Sequence, residues 1–234
     1  MRNPSNTNQT LFHEPTYKGF AVQTHKGPLI LNYLERLHGL FAAALNQYSS
    51  LYVVRLDLHF SNREELPDDA CTNAPIERFL ASLKAKLDWR DASIRKQHGR
   101  VNRHGMRYAW AREIGPESQR PHYHLVLILN KSAFQSLGNY SDPSAPGLYR
   151  ICFEAWASAI HQPHDLAEGL VSVVSDGQWH LNRIDQGPYR EALFAASYLC
   201  KARSKVFELG FHCFGCSCQW PLILTHFWPI KLTH

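Results

Sequence analysis

The sequence predicts an α+β fold with a mainly antiparallel central sheet and helices packed on one face. Several short segments alternate apolar with polar residues, which is typical of half-buried strands, and longer segments between them carry apolar residues at helical spacing. The predicted strands come in neighbouring pairs joined by residues that favour turns. This arrangement favours antiparallel hairpins over parallel units, and therefore the α+β class.

Each predicted element rests on its periodicity and on the residues that begin or end it. Pro75 and Pro188 suit the first turns of two helices, because proline lacks the N–H that a helix leaves unpaired there. Asp176-Gly177 between two alternating runs predicts a second hairpin. The predicted elements are a helix over 29–48, a strand over 51–60, a helix over 74–98, strands over 106–113 and 122–130, a helix over 148–161, strands over 171–175 and 178–183, and a helix from Tyr189 to about Lys205.

The 234 residues are enough for one large domain, which we expect over 29–218. Residues 1–28 are polar and broken by proline and glycine, so they predict an irregular arm, and 219–234 predict an atypical tail. No apolar run approaches the roughly 18 residues that span a bilayer, and the first ten residues lack the apolar core of a signal peptide. We therefore expect no membrane partner. Cysteines scattered singly along the chain are typical of proteins in a reducing compartment, so we expect the protein to be in the cytoplasm.

One predicted hairpin brings together three residues that can bind a metal ion. His122 and His124 lie two apart and share one face of their strand. If Glu113 lies opposite His122 in the antiparallel pair, its carboxylate joins both imidazoles, whereas a slip of one residue would send it to the other face. This set leaves coordination positions open and suits Mg²⁺ or Mn²⁺, with zinc as an alternative by ligand type.

A tyrosine and a lysine on the last predicted helix form a second candidate group. Tyr198 and Lys201 are three residues apart and therefore neighbours on a helix surface. A phenol and an ammonium so placed can meet one substrate phosphate, and a nearby cation favours the charged form of a nucleophilic phenol.

These motifs resemble those of the HUH (His-hydrophobic-His) endonucleases, the rolling-circle replication initiators. The resemblance rests on Leu56-Asp57-Leu58-His59, on Pro121-His122-Tyr123-His124 with Glu113 upstream, and on Tyr198-x-x-Lys201, in the family's chain order. It covers about residues 50–217 and is closest to inovirus and prophage replication proteins. It implies a ferredoxin-like or RRM-like sheet, a divalent metal, and attack of a tyrosine on a DNA phosphate that leaves a 5′-phosphotyrosyl link and a free 3′-OH.

The resemblance also implies roles for individual residues. His122, His124 and Glu113 would bind the metal, Tyr198 would be the nucleophile and Lys201 its electrostatic partner. Asp57 and His59 match the first motif less specifically and are expected on the active-site face. Some initiators carry a second tyrosine four residues earlier on the helix, but Phe194 occupies that position here. We therefore expect a single-tyrosine enzyme that acts at a replication origin, with single-stranded DNA and the host replication machinery as partners.

Positive charge is concentrated between Leu80 and Arg112. This segment contains nine basic residues and two acidic ones, in a chain of net charge +5. Trp89, Tyr108 and Trp110 are interleaved with them, a composition that suits phosphate contacts and base stacking. The predicted DNA-binding residues are Arg55, Arg95, Lys96, Arg100, Arg103, Arg107, Trp110 and Arg112.

Three alternatives stay open at this point. The protein can be a nucleic-acid-binding prophage protein with the same fold and no catalysis. A barrel-type metal hydrolase ranks last, because the sequence lacks eight repeated strand–helix units. The spacing Cys213-x-x-Cys216-x-Cys218, with His212 or His226, is a second candidate zinc site, with free thiols as the other interpretation.

Overall fold

A five-stranded antiparallel sheet organises the fold in the computed structural model, which describes residues 1–115, 118–203, 205–207 and 210–217. The strands are β1 (Arg2–Asn3), β2 (Asn6–Phe12), β3 (Thr16–Tyr17), β4 (Phe20–Ala21), β5 (Leu29–Ile30), β6 (Ser50–His59), β7 (Arg107–Ile114), β8 (Pro121–Asn130), β9 (Val171–Asn182) and β10 (Phe214–Cys216). The α-helices are α1 (Leu31–Gln47), α2 (Ala74–His98), α3 (Leu148–Ala159), α4 (His164–Ala167) and α5 (Gln186–Ser197).

The central sheet has the strand order β10-β7-β8-β6-β9, and every neighbouring pair is antiparallel. The succession β6-α2-β7-β8-α3-β9 is the βαββαβ arrangement of ferredoxin-like folds, with the first strand between the third and the fourth. The predicted α+β class with a central antiparallel sheet is therefore confirmed. The predicted helix over 74–98 has the same bounds as α2.

Helices cover both faces of this sheet, so the prediction that they pack on one face is wrong. Tyr52 and Val54 of β6 face a core that α2 and α3 cover, whereas Leu51 and Val53 face a core built with α1 and α5. Arg55, Asp57 and His59 suggested a polar second face, but the first half of β6 is apolar on both sides. Burial of that apolar half favours a second helical layer there. Only the far end of the second face stays polar.

The predicted irregular arm over 1–28 is also corrected, because this segment forms strands and packs on the core. The strands pair in the order β1-β2-β5 and as β3-β4. Tyr17, Phe20 and Val22 are buried against residues of α1. Tyr17 and Phe20 belong to strands of two residues, which are too short for a periodic pattern to show in the sequence.

The predicted hairpin around Asp176-Gly177 is a bulge within the single strand β9. β6 pairs with both halves of β9, and its register shifts between Val54 and Leu56. Asp176 has a φ of 52°, a conformation that serves hairpin turns and bulges alike, so the dipeptide did not distinguish them.

The last predicted helix ends eight residues early. α5 ends at Ser197, and Tyr198–Cys200 form a 3₁₀ turn. The chain then leaves the helix because Lys201 pairs with Leu29 and the Ala202 N–H donates to the Pro28 carbonyl at 2.9 Å. The predicted tail over 219–234 lies outside the described residues. None of the helices that the structure describes is both long and apolar enough to cross a membrane.

Candidate metal centre and tyrosine site

Strand register brings the three predicted metal ligands to one end of the sheet. Glu113 of β7 lies opposite His122 of β8, so the predicted parity is confirmed. On the other side of β8, β6 places Asp57 opposite His124 and His59 opposite His122. All five side chains belong to the face that carries α1 and α5, at its polar end.

The geometry of Glu113, His122 and His124 fits a divalent metal ion. Each residue offers one ligand atom, and these atoms lie within 4.8 Å of one another. The Nε2 atom of His124 is buried without a hydrogen-bond partner among the described residues, 3.5 Å from Glu113 Oε2. A buried polar atom left unpaired is costly, and a metal ion would satisfy it. These three residues would hold the metal.

Asp57 orients the buried imidazole of that cluster. His124 Nδ1 donates to Asp57 Oδ1 at 2.7 Å, so Nε2 of the neutral ring is the acceptor on the cluster side. Burial by itself lowers the pKa of His124, but its contacts with Asp57 and Glu113 outweigh burial and raise that pKa, so a metal ion at Nε2 would displace a proton. Carboxylate–histidine pairs of this kind fix the ring and its tautomer in metal sites. The ring of His59 stacks on that of His122, with centroids 5.9 Å apart. Asp57 and His59, both predicted on the active-site face, therefore support the two histidines.

Tyr198 reaches the same cluster from the 3₁₀ turn after α5. Its ring meets the His124 ring edge to face, with centroids 5.0 Å apart, and the Arg55 guanidinium lies 5.2 Å from the phenol centroid. The Lys201 ammonium donates to the Tyr198 hydroxyl and lies 2.8 Å from Glu113 Oε2. The structure thus brings the predicted ligands, tyrosine and lysine together in one cluster.

Burial lowers the pKa of two histidines of the cluster, whereas neighbouring charged groups lower the pKa of Glu113. Burial, followed by the neighbouring His124, lowers the pKa of His122 to about 4, and burial also lowers that of His59. Burial by itself raises the pKa of Glu113, but contact with His124 and the ammonium of Lys205 outweigh it and hold the pKa well below its usual range. Neutral His122 and ionised Glu113 are the forms that bind metal ions.

Lys205 is a site residue that sequence reasoning missed. Its side chain is fully buried, and its ammonium lies 2.8 Å from Glu113 Oε1. The four-residue spacing from Lys201 was the one available signal, because it places both lysines on one helix face. Yet residues 201–203 and Lys205 are not helical, so only the tertiary structure brings Lys205 to Glu113.

The predicted DNA-binding residues separate into three places. Arg55 lies in the site itself. Trp110 and Arg112 are buried on the opposite face of β7 from Glu113, so their predicted contact with DNA is wrong, because strand side chains alternate between faces. Arg112 donates to the Cys71 carbonyl there. The other five, which are exposed or half-buried, lie near the start of β7 and at the end of α2: Arg95, Lys96, Arg100, Arg103 and Arg107.

The predicted cysteine site is described only in part. Cys213 is a buried free thiol, and Cys216 is half-buried. Cys218 and His226 lie outside the described residues. Within the part of the chain that the structure describes, Glu113, His122 and His124 form the one group of three or more residues placed to hold a metal.

Fold and site together define an α+β protein whose antiparallel sheet carries a His-His-Glu cluster beside a tyrosine. Residues 12–217 match the family described as the YagK/YfjJ C-terminal domain, and the chain belongs to this family. The "Uncharacterized protein YagK" of Escherichia coli (strain K12) is 34% identical over 210 residues, which cover 86% of this chain and 97% of YagK. The "Uncharacterized protein YfjJ" of the same strain is 33% identical over 196 residues, covering 79% of this chain and 93% of YfjJ. No solved structure matches the chain.

Proposed function

We propose that the protein is a metal-dependent, site-specific endonuclease and strand transferase for single-stranded DNA, of the HUH type. It would nick the replication origin of a phage or prophage in the bacterial cytoplasm and start rolling-circle replication with the host machinery. One observation carries the proposal. The Tyr198 hydroxyl and the Glu113 carboxylate contact the same Lys201 ammonium, so a nucleophile and a metal ligand converge on one point.

The residues present divide the work of a transesterification. Lys201 holds the Tyr198 hydroxyl and stabilises negative charge on its oxygen during attack. The tyrosine oxygen forms a bond to phosphorus while the bond from phosphorus to the 3′ oxygen breaks, and the proton lost by the phenol balances the one that the leaving 3′ oxygen gains to become a hydroxyl. A divalent ion held by Glu113, His122 and His124 would supply Lewis-acid stabilisation of the phosphate, as Mg²⁺ or Mn²⁺ does. Arg55 adds positive charge beside the phenol.

The described residues support a single-tyrosine enzyme. Phe194, at the position of a second tyrosine, stacks on His25 with centroids 6.2 Å apart. Tyr189 of α5 packs against Phe20 and Phe41 in the core, and burial raises its pKa far above the usual value. Closing the replication cycle would therefore need water, a second protomer or a second nick.

A covalent-adduct assay tests the proposal. The protein is incubated with Mn²⁺ and circular single-stranded DNA that carries the origin of its own replicon, and a DNA-linked band is sought after denaturation. Tyr198→Phe should abolish the band and leave DNA binding nearly unchanged, because it removes only the attacking oxygen. Tyr140→Phe, at an exposed loop position, is the matched control and should form the adduct normally. A full adduct from Tyr198→Phe would overturn the assignment of the nucleophile.

One observation favours the alternative of a non-catalytic nucleic-acid-binding protein. Both oxygens of Glu113 already pair with lysines, each at 2.8 Å, so this carboxylate is satisfied by the chain alone. Salt-dependent DNA binding, with no adduct and no binding of Mn²⁺ or Mg²⁺ by calorimetry, would establish this alternative. Mn²⁺ binding that His122→Ala/His124→Ala abolishes would exclude a purely structural cluster.

A further inference from the structure

A second cleft lies at the far end of β7 from the tyrosine site. It encloses about 490 Å³ between the end of α1, the second half of α2 and the segment that leads into β7. We name it the arginine cleft, because Arg95, Arg103 and Arg107 line it. Arg107 and Glu113 are six residues apart on β7, and a strand rises about 3.4 Å per residue, so about 20 Å separates the cleft from the metal ligand.

The cations of the arginine cleft have no carboxylate partners among the described residues. Arg95 and Arg103 are exposed and form no ion pair there, and Arg107 bonds to the neutral Gln47 amide at 2.8 Å. The Nε atom of Arg107 is buried without a hydrogen-bond partner in the described part of the chain. These guanidinium groups are therefore available to an external anion.

The two carboxylates that line the cleft are engaged elsewhere. Asp91 accepts the His104 backbone N–H at 2.8 Å and pairs with Arg90 at 3.1 Å. Asp88 pairs with Lys84 and with the His104 ring. Neither carboxylate neutralises Arg95 or Arg103, so the cleft keeps its positive charge.

A cleft elsewhere on α2 shows the contrast. Lys86 and Arg150 line it, but each pairs with Glu154 at 2.8 Å. Its Arg90 is also paired, with Asp91. Two clefts on one helix thus differ in their free charge, and only the arginine cleft presents unpaired guanidinium groups among the described residues.

We propose that the arginine cleft binds backbone phosphates of the DNA strand whose scissile phosphate lies at the tyrosine site. Guanidinium groups bind phosphate through paired N–H donors, and such contacts fix a strand without reading its sequence. A single strand that joins the two places would span several nucleotides across the separation of about 20 Å. The position of the DNA along the protein rests on the proposed function. The binding of phosphates by the cleft does not depend on it.

Binding of a fluorescent 24-nucleotide thymidine strand, measured between 50 and 300 mM salt, tests the inference. Arg95→Gln/Arg103→Gln should weaken binding at least tenfold at low salt and reduce the salt slope by about 1.4, since each phosphate contact to a single strand contributes about 0.7. Lys86→Gln/Arg150→Gln removes the same net charge from the paired cleft and is the matched control. Both arginines are exposed, so circular dichroism should show an unchanged fold.

The outcomes separate this inference from the proposed function. If the arginine variant binds like wild type at every salt concentration, or if the control weakens binding as much, the cleft is not a phosphate site, whether or not the adduct forms. If neither the wild type nor any variant forms an adduct, but the arginine variant alone binds DNA weakly, the cleft inference holds and the nicking proposal fails. Where both hold, the arginine variant should form adduct at the wild-type rate under saturating DNA and need more DNA to reach it.

Discussion

The Lys201 ammonium lies 2.8 Å from Glu113 Oε2 and donates a hydrogen bond to the Tyr198 hydroxyl. One cation therefore joins the Glu113 carboxylate on β7 to the Tyr198 phenol on the turn after α5. Because the contact is mostly buried, water screens it little, and the positions of the two groups depend on each other.

Replacing Lys201 by methionine should slow adduct formation about 100-fold, because the phenol loses the donor that stabilises its negative charge. Binding of the 24-nucleotide strand should change little, since one cation among many is lost. Lys201→Arg keeps the charge and should recover part of the rate. Single-turnover adduct assays measure both variants, and equal rates for Lys201→Met and wild type would show that Lys201 does not act on Tyr198.

Asp57→Asn should weaken Mn²⁺ binding about 10- to 100-fold, because the carboxylate that orients His124 loses its charge. Isothermal calorimetry with Mn²⁺ gives the dissociation constant directly, without any cleavage. Asp142→Asn, at an exposed loop position, is the control. Unchanged metal affinity in Asp57→Asn would mean that His124 does not ligate the ion in the orientation described.

His38 should make the protein less stable as the pH falls from 6.5 towards 4. Its ring is buried between Tyr17 and Phe20, and burial lowers its pKa to about 4. The unfolded chain takes up the proton first, so the neutral folded form loses about 2 kcal/mol relative to it between pH 7.5 and pH 5. Urea unfolding measures the free energy of unfolding of wild type and of His38→Leu. The value for wild type, relative to that for His38→Leu, should fall at low pH.

The control for that measurement is His98→Leu, at an exposed site near the end of α2. A free energy difference between wild type and His38→Leu that is the same at both pH values would contradict the assignment. It would mean that the His38 imidazole is protonated equally in the folded and unfolded chains.

Gly215→Ala should destabilise the fold by about 1–3 kcal/mol, because overpacking forces a well-packed neighbour to move. A Cβ atom there would lie 2.5 Å from the indole ring of Trp110, which is buried against the strand pair. Thermal unfolding measures the effect. Adding Trp110→Leu should recover part of the loss, and additive costs in the double variant would show that the two residues do not compete for space.

Strand parity was the part of the site that local pattern predicted well. A two-residue period placed His122 and His124 on one face, and the length of the connecting loop allowed the register that puts Glu113 opposite His122. The same alternation assigned Trp110 and Arg112 to the opposite face, and the prediction of DNA contact overlooked it. Charge composition drew attention to that segment, but composition carries no information about faces.

Contacts between distant segments account for what local pattern missed. Lys205 pairs with Glu113 across 92 positions in sequence, and it does so because the chain turns away from α5 to pair with β5. Tyr198 meets His124 only because the 3₁₀ turn after α5 packs against the end of the sheet.

The amino-acid sequence by itself determined the α+β class, the bounds of α2 and the shared face of the two histidines, because each depends on the side-chain period of a single element or pair. The tertiary structure alone decided that helices cover both faces, that α5 stops at Ser197, and that two lysines bind one carboxylate. Those features depend on which apolar surfaces meet in the folded chain, and burial of such surfaces is a sum over distant segments that no local period records.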